Sequence, residues 1–371
     1  SSIPSFEPAN YKNYSSEIIN RNLAIWSNFE PGSTFKIVTL ASAINEGKVD
    51  IFKEHYYDKG SVKVANSTLH CWKRKGHGDQ TFIQVVENSC NPGFVNLGQR
   101  LGKETLFKYI TELGFGKKTG IDLNGEATGI LFNLDKVGPV ELATTAFGQG
   151  ISVTALQQVT AVSAIVNGGT LYTPYIVSSV GDEQKSPIIK KENIVTKDTS
   201  DVVRYALESV VANGSGRNAY IENYRIGGKT GTAQKVGSDG RYMQGNYVLS
   251  FIGFMPADDP EFVMYIAIDH AKGVTQYGGV VSAPIARNVF KDIISIYDIK
   301  EDSNGIPKSY RWDDVVYKMI PDVIGKNKKE AKKLLQGFKV EFTGNGDNVI
   351  DTSPNVNTRV KEGSTIKVLL N

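Results

Sequence analysis

The sequence predicts an α+β fold, an antiparallel sheet joined to a helical subdomain, followed by a small separate βαββ module. Three observations carry this. Apolar residues recur at helical spacing through much of the first 212 residues. The period then shortens to two over three segments between 229 and 269, before one more helix. Last, the charge balance changes sign near residue 318: from there on ten Lys plus Arg face six Asp plus Glu, a net +4, against −1 for residues 1–317. The expected division is a main domain over 1–300, a linker over 301–317 and the module over 318–371.

In chain order, Pro31 and Gly32 break any preceding structure, and Ser33 to Glu46 reads as a helix. Ile37, Val38, Leu40, Ala41, Ala43 and Ile44 make it apolar nearly all round, which predicts burial, and Gly47 is placed as its stop. Short strands and turns follow over Tyr56 to Leu69, then a Lys/Gly/His-rich loop at Lys73 to Asp79. Phe82 to Leu113 fits two helices flanking a turn at Asn88 to Pro92. Gly114 to Gly129 is a glycine-rich loop, Leu142 to Val166 is helical with a break at Gly148-Gln149-Gly150, and Ser200 to Ala212 is a helix. Lys229 to Val236, Tyr247 to Met255 and Phe262 to Asp269 read as strands, the last two joined as a hairpin, and Gly278 to Tyr297 as the closing helix. The tail reads as strand, a helix over Lys328 to Leu335, and strands over Phe338 to Phe342 and Thr365 to Leu370.

The composition is that of a globular protein, with 40% hydrophobic and 10% aromatic residues in 371, enough for a sizeable core. A net charge of +3 gives no basis for nucleic acid as a partner. The longest apolar run, Phe262 to Ile268, has strand length and is far short of a membrane span. No signal peptide is visible, and the opening, Ser1 to Asn13, reads as the middle of something longer.

Three short motifs suggest chemistry. Ser33 and Lys36 share one face near a helix start, where burial and the helix dipole disfavour the ammonium form, so that Lys36 can take the proton of a Ser33 nucleophile. Ser89-Cys90-Asn91 lies in a turn that can point residues i and i+2 into a cleft. Lys229-Thr230-Gly231-Thr232 opens a strand, and Gly231 leaves room for a substrate lying along that edge. Each has a decoy: Ser364 and Lys367 on a strand, Ser353-Pro354-Asn355 in the tail, and Lys118-Thr119-Gly120 in a loop. A phosphate loop at Gly228-Lys229-Thr230 fails, because the required upstream glycine falls on Asn223.

The order and spacing of these motifs resemble the penicillin-binding proteins, specifically class B transpeptidases. Phe6-Glu7-Pro8, Arg21-Asn22, Glu30 to Lys36, Thr119-Gly120-Ile121-Asp122, Gly148 to Gly150, Lys229 to Gln234 and Gly278-Gly279 fall where that family has similar residues. The tail, from Pro321-Asp322-Val323 to Ile366, resembles one PASTA module, departing from the usual pattern at Asn357. One terminal PASTA module combined with Ser89-Cys90-Asn91 is similar to the sporulation members of the family, which implies a role in spore cortex synthesis.

The resemblance implies D-Ala-D-Ala transpeptidation of peptidoglycan stem peptides through a Ser33 acyl-enzyme, acylation by β-lactams, and no cofactor for acyl transfer. It assigns Lys36 as base, Ser89 as proton relay and Asn91 as a substrate amide ligand. Lys229 would face the substrate carboxylate, with Thr230 and Thr232 as hydrogen-bonding hydroxyls and the N–H groups of Ser33 and Thr232 as the oxyanion hole. A glycosyltransferase of the wall-synthesis machinery is the implied partner. The implied location is the extracytoplasmic face of the cytoplasmic membrane, held by an anchor outside this sequence. A D,D-carboxypeptidase or β-lactamase, and a non-catalytic peptidoglycan or β-lactam receptor, are the rival readings.

The two cysteines do not make a disulfide framework, but their positions stand out. Cys71, His77 and Cys90 form a Cys-x5-His-x12-Cys pattern, with Asp58 as the fourth ligand of a structural zinc and His70 or Asp79 as alternatives. A Cys71–Cys90 redox pair and two buried free thiols remain open beside it.

Overall fold

The computed structural model describes residues 1–237, 239–308 and 317–371; of the expected linker, 309–316 lie outside the described residues. The chain divides into two compact units, Ser1–Ser309 and Tyr310–Asn371.

The first unit is built on a helix, α1 (Lys36–Asn45), whose first eight residues are all buried, as its all-round apolar surface predicts. Its first turn is not α-helical: Gly32–Phe35 is a 3₁₀ turn that runs into α1. At its far end Gly47 takes φ +61°, with Lys48 N–H donating to Ala43 O and Gly47 N–H to Ile44 O, a Schellman cap.

Four short strands follow, β1 (His55–Asp58), β2 (Ser61–Val64), β3 (Ser67–His70) and β4 (Gly78–Thr81), paired β1 with β4 and β2 with β3. Where the sequence predicts two helices there are three, α2 (Phe82–Glu87), α3 (Asn91–Leu101) and α4 (Lys103–Glu112). The extra break falls at Gly102, whose φ of +75° no helix interior allows. Helices α5 (Pro139–Ala146), α6 (Ala155–Val166) and α7 (Lys197–Asn213) complete the subdomain.

A three-stranded antiparallel sheet closes the unit: β5 (Gly227–Val236), β6 (Tyr242–Met255) and β7 (Phe262–Asp269), with β6 central and β5 at an edge. The period-two pattern of β6 sorts its side chains. Ile252 and Phe254 join the core around α1, whereas Phe251 and Met255 pack with Ala283, Ala286 and Phe290 of α8 (Gly278–Tyr297) on the other face. The sheet is therefore buried between the helical subdomain and α8. No helix among the described residues is long and apolar enough to cross a membrane.

The second unit has its own core, including Ile320, Val323, Ala331, Leu335, Val349, Ile366, Val368 and Leu370. Its elements are β8 (Tyr317–Met319), α9 (Lys328–Leu334), β9 (Lys339–Thr343), β10 (Val349–Ser353), β11 (Arg359–Lys361) and β12 (Thr365–Leu370). Strand β12 lies between β9, parallel to it, and antiparallel β10. The βαββ pattern is present with two further strands, β10 and β11, too short and polar to stand out by alternation.

Candidate active site

Ser33 sits half-buried in the 3₁₀ turn, where residues three apart nearly eclipse, so it shares a face with Lys36. The turn is held from three sides. Gly32 N–H donates to Gly148 O at 2.9 Å, and Thr34 Oγ1 donates to Pro31 O at 2.8 Å. Glu30 Oε1 accepts from Gly150 N–H at 2.8 Å and from the Tyr242 hydroxyl at 3.2 Å. A Cβ on Gly148 would lie 2.0 Å from Gly32 O, so only glycine allows this approach.

Ser89 is placed by the end of α2. Cys90 N–H donates to Val85 O at 3.0 Å and Ser89 N–H to Val86 O at 3.1 Å, again a Schellman cap, but with serine rather than glycine in the left-handed position, at φ +51°. That conformation costs a non-glycine residue about 1 kcal/mol or more, and here it aims the hydroxyl at two lysines. Asn91 then opens α3, with Pro92 in its first turn.

The three motifs meet at Ser89 Oγ. Lys36 Nζ is 3.2 Å from it and also donates to Ser89 O at 2.8 Å and Asn91 Oδ1 at 2.7 Å. Lys229 Nζ donates to the same Oγ at 2.8 Å and to Thr230 O at 3.1 Å. Both lysines are essentially inaccessible, at 1% and 0% exposure. Burial pulls Lys36 down to about 8, and pulls Lys229 well below its ordinary value, with the nearby Lys36 charge adding to the effect. The three acceptors around Lys36 match the three donors of an ammonium. Once Lys36 is neutral, the Ser89 hydroxyl, already accepting from Lys229, can donate to its lone pair, so Oγ is a proton exchange point between two amines.

The other predicted residues have hydrogen-bond partners within the protein. The Asn91 amide is engaged at both ends, by Lys36 and by His70 O at 3.0 Å from Nδ2, which makes it a brace of the site. Thr230 Oγ1 donates to Ser215 Oγ at 3.1 Å, and Thr232 Oγ1 accepts from Gly278 N–H at 3.2 Å. The absent side chain of Gly231 also serves packing within the protein. A Cβ there would lie 2.3 Å from Ser250 Oγ and 3.1 Å from Thr34 Cγ2, so the glycine lets the Ser33 turn pack on β5. Ser215 and Glu30 are site neighbours that no sequence motif marks, although Glu30 lies inside the matched stretch.

The decoys have other surroundings. Lys118 is exposed, and Thr119 and Gly120 bond to Glu126. Ser364 and Lys367 belong to the second unit, where Lys367 is exposed.

Asp58, Cys71, His77 and Cys90 come together, with one ligating atom from each within 4.8 Å of all the others. Cys90 is fully buried. The alternatives fall away: His70 is exposed, and Asp79 pairs with His55 at 3.0 Å.

The family model described as the penicillin binding protein transpeptidase domain matches residues 1–291, and the PASTA domain model matches 318–371. The chain is 55% identical to stage V sporulation protein D of Bacillus subtilis, over all of this chain and 58% of that protein. It is 30% identical to the peptidoglycan D,D-transpeptidase FtsI of Escherichia coli, over 81% of this chain and 49% of that one. The chain thus spans about half the length of the curated relatives it matches. Among solved structures, penicillin binding protein 3 of Mycobacterium tuberculosis complexed with ampicillin superposes with a TM-score of 0.73 at 28% identity, covering 81% of this chain and 70% of that one.

Proposed function

The chain belongs to the penicillin-binding protein transpeptidase family, with a PASTA domain at its end, and from that premise we propose that it is a serine D,D-transpeptidase that cross-links peptidoglycan stem peptides. Transfer in this family needs no cofactor. The observation that carries the reading is the convergence of two buried lysines on Ser89 Oγ: Lys36, 53 residues away and one turn beyond Ser33 in the chain, and Lys229, 140 residues away.

In the proposed reaction neutral Lys36 takes the Ser33 proton as Oγ attacks the carbonyl of the penultimate D-alanine. The N–H groups of Ser33 and Thr232 hold the oxyanion. As the tetrahedral intermediate collapses, the peptide C–N bond breaks and D-alanine leaves with a proton returned from Lys36 through Ser89. The amine of a second stem then attacks the Ser33 ester, an amide forms, and Ser33 regains its proton. Lys229 supplies positive charge toward the substrate carboxylate, and Thr230 and Thr232 supply hydroxyls, after exchanging the partners they hold in the free protein. A β-lactam would acylate Ser33 by the same first step. The 55% relative, named for stage V of sporulation, supports a role in sporulation; we further propose spore cortex synthesis, a glycosyltransferase partner and a place outside the cytoplasmic membrane.

The test is incubation with a stem pentapeptide ending in D-Ala-D-Ala and an amine acceptor. Release of D-alanine matched by incorporation of acceptor is expected. Release without incorporation would indicate a carboxypeptidase, and rapid turnover of a chromogenic cephalosporin a β-lactamase. A penicillin adduct with no D-alanine release would indicate a receptor.

A further inference from the structure

One cavity of the first unit shares no residue with the groups that meet at Ser89. It measures about 340 Å³ and is walled by the end of α4, the loop after it, α6 and a two-stranded sheet of Leu171–Thr173 with Ile188–Lys191. That size falls at the lower end of the roughly 300–1,000 Å³ of small-molecule clefts.

Two distant segments supply its charge. Lys117 and Lys118 come from the loop, and Lys190 and Lys191 from the sheet. Lys190 Nζ donates to Lys118 O at 3.3 Å, across 72 residues of chain. Among the described lining residues Glu112 alone is acidic, and it lies 3.5 Å from Lys191. Lys117, Lys118 and Lys190 form no ion pair among the described residues, and all three are exposed. The Lys118-Thr119-Gly120 motif, which has no part in the acyl transfer, thus contributes to a second polar concavity.

The lysines are placed by the backbone. In a regular strand Lys190 and Lys191 would face opposite ways. Here Lys191 pairs with Leu171 and Ile189 with Tyr172, so Lys190 is the extra residue of a β-bulge, and both lysines line the cavity. The loop is pinned by two buried side chains. Gln157 Nε2 donates to Lys117 O at 2.8 Å, and Glu126 accepts from Thr119 N–H at 2.7 Å and from Gly120 N–H at 3.1 Å. Glu126 is therefore spent on the backbone, and the ammonium groups of Lys117 and Lys118 are left to meet an anion from outside. A loop already held in place has little backbone freedom to lose when that anion binds.

We infer that this cavity binds a ligand bearing a phosphate monoester or a diphosphate. Four ammonium groups around one carboxylate repel one another, and a dianion relieves that repulsion where a lone carboxylate does so only in part. Lysines act as point charges that suit the several oxygens of a phosphate. A carboxylate is matched best by the planar fork of arginine, and no arginine is among the described lining residues. Leu171 and the Tyr172 ring give the organic part of the ligand an apolar surface. A soluble phosphate ester and a lipid headgroup offer the same chemistry.

The test is calorimetric titration of the whole chain with inorganic pyrophosphate at about 0.15 M salt, where attraction beyond about 8 Å is screened. Alongside it, the chain is floated with vesicles of phosphatidylglycerol and with vesicles of phosphatidylcholine. Saturable binding of one pyrophosphate per chain is expected, weakened about tenfold or more in Lys118→Ala/Lys190→Ala. Lys328→Ala/Lys329→Ala removes as many exposed charges from α9 and should leave the affinity unchanged. Melting temperatures equal to that of the wild type check that both variants fold. Pyrophosphate binding without flotation assigns a soluble ligand, and flotation with phosphatidylglycerol alone that is lost in Lys118→Ala/Lys190→Ala assigns a lipid headgroup. The inference is overturned if neither pyrophosphate nor vesicles bind saturably, if the two variants lose affinity equally, or if an oligoglutamate peptide binds as tightly as pyrophosphate.

Discussion

Ser33-Thr34-Phe35-Lys36 and Ser364-Thr365-Ile366-Lys367 spell the same pattern in the two units of this chain, and only one has the surroundings of a site. The first straddles a 3₁₀ turn and the start of α1, which keeps residues three apart on one face and buries the lysine among three acceptors. The second runs into β12, where alternation separates the two side chains and Lys367 is exposed. Lys229-Thr230-Gly231 and Lys118-Thr119-Gly120 divide in the same way: one lysine is inaccessible beside Ser89, the other is exposed in a loop. Burial and element type make the chemistry, and the four-letter pattern only permits it.

The largest effect should come from breaking the buried copy. Lys36→Ala is expected to slow acylation by a penicillin by about 10²–10⁴-fold, the range of a lost general base, whereas Lys367→Ala should leave the rate unchanged. Stopped-flow acylation rates check both.

The second expectation is a pH dependence. Lys36 is lowered from 10.5 to about 8, so below that value it is mostly ammonium and cannot accept the Ser33 proton. The acylation rate should climb about tenfold per unit well below pH 8 and level off above it, with no such break for an exposed lysine. The sign carries to stability. Between about 8 and 10.5 the unfolded chain binds the Lys36 proton more than the folded one does, so this residue makes folding more favourable as pH rises through that window. A flat rate profile would show that Lys36 is not the base.

A smaller effect is expected from Gly231→Ala, which pushes a methyl against Ser250 Oγ and Thr34 and should cost about 1–3 kcal/mol by overpacking, read from denaturant unfolding. Gly120→Ala is the control, since a Cβ there meets nothing closer than 3.6 Å, although its φ of +81° makes some strain unavoidable. The smallest effect, none on the acylation rate, is expected from removing residues 309–371. The basic helix α9, with Lys328, Lys329, Lys332 and Lys333 all exposed, then has no part in the chemistry.

What the sequence makes legible follows from how local the cause is. Helix α1 and strand β7 stand out as near-continuous apolar runs of helix and strand length, and Gly47 announces the left-handed cap of α1. The end of α2 uses the same cap with Ser89 in the glycine position, and no propensity marks that choice, because the strain is offset by hydrogen bonds to lysines 53 and 140 residues away. The break at Gly102 was hidden because a single glycine inside an apolar pattern reads as tolerated; β10 is irregular between Val349 and Asp351, which spoils its alternation, and β11 has only three residues. The partners of Thr230, Thr232 and Asn91 depend on Ser215, Gly278 and His70, which the chain brings in from elsewhere. The metal-type cluster was legible in part, since three of its four residues lie within twenty positions; the choice of Asp58 over His70 and Asp79 rests on which strand face each occupies.

The central claim, that chemistry resides in Ser33 and not in the matching serine of the tail, is tested most directly by intact mass analysis after incubation with a penicillin. One adduct is expected on the wild-type chain, mapping to the peptide that contains Ser33, and none on Ser33→Ala, while Ser364→Ala retains it. An adduct that persists in Ser33→Ala, or that maps to Ser364, would contradict it.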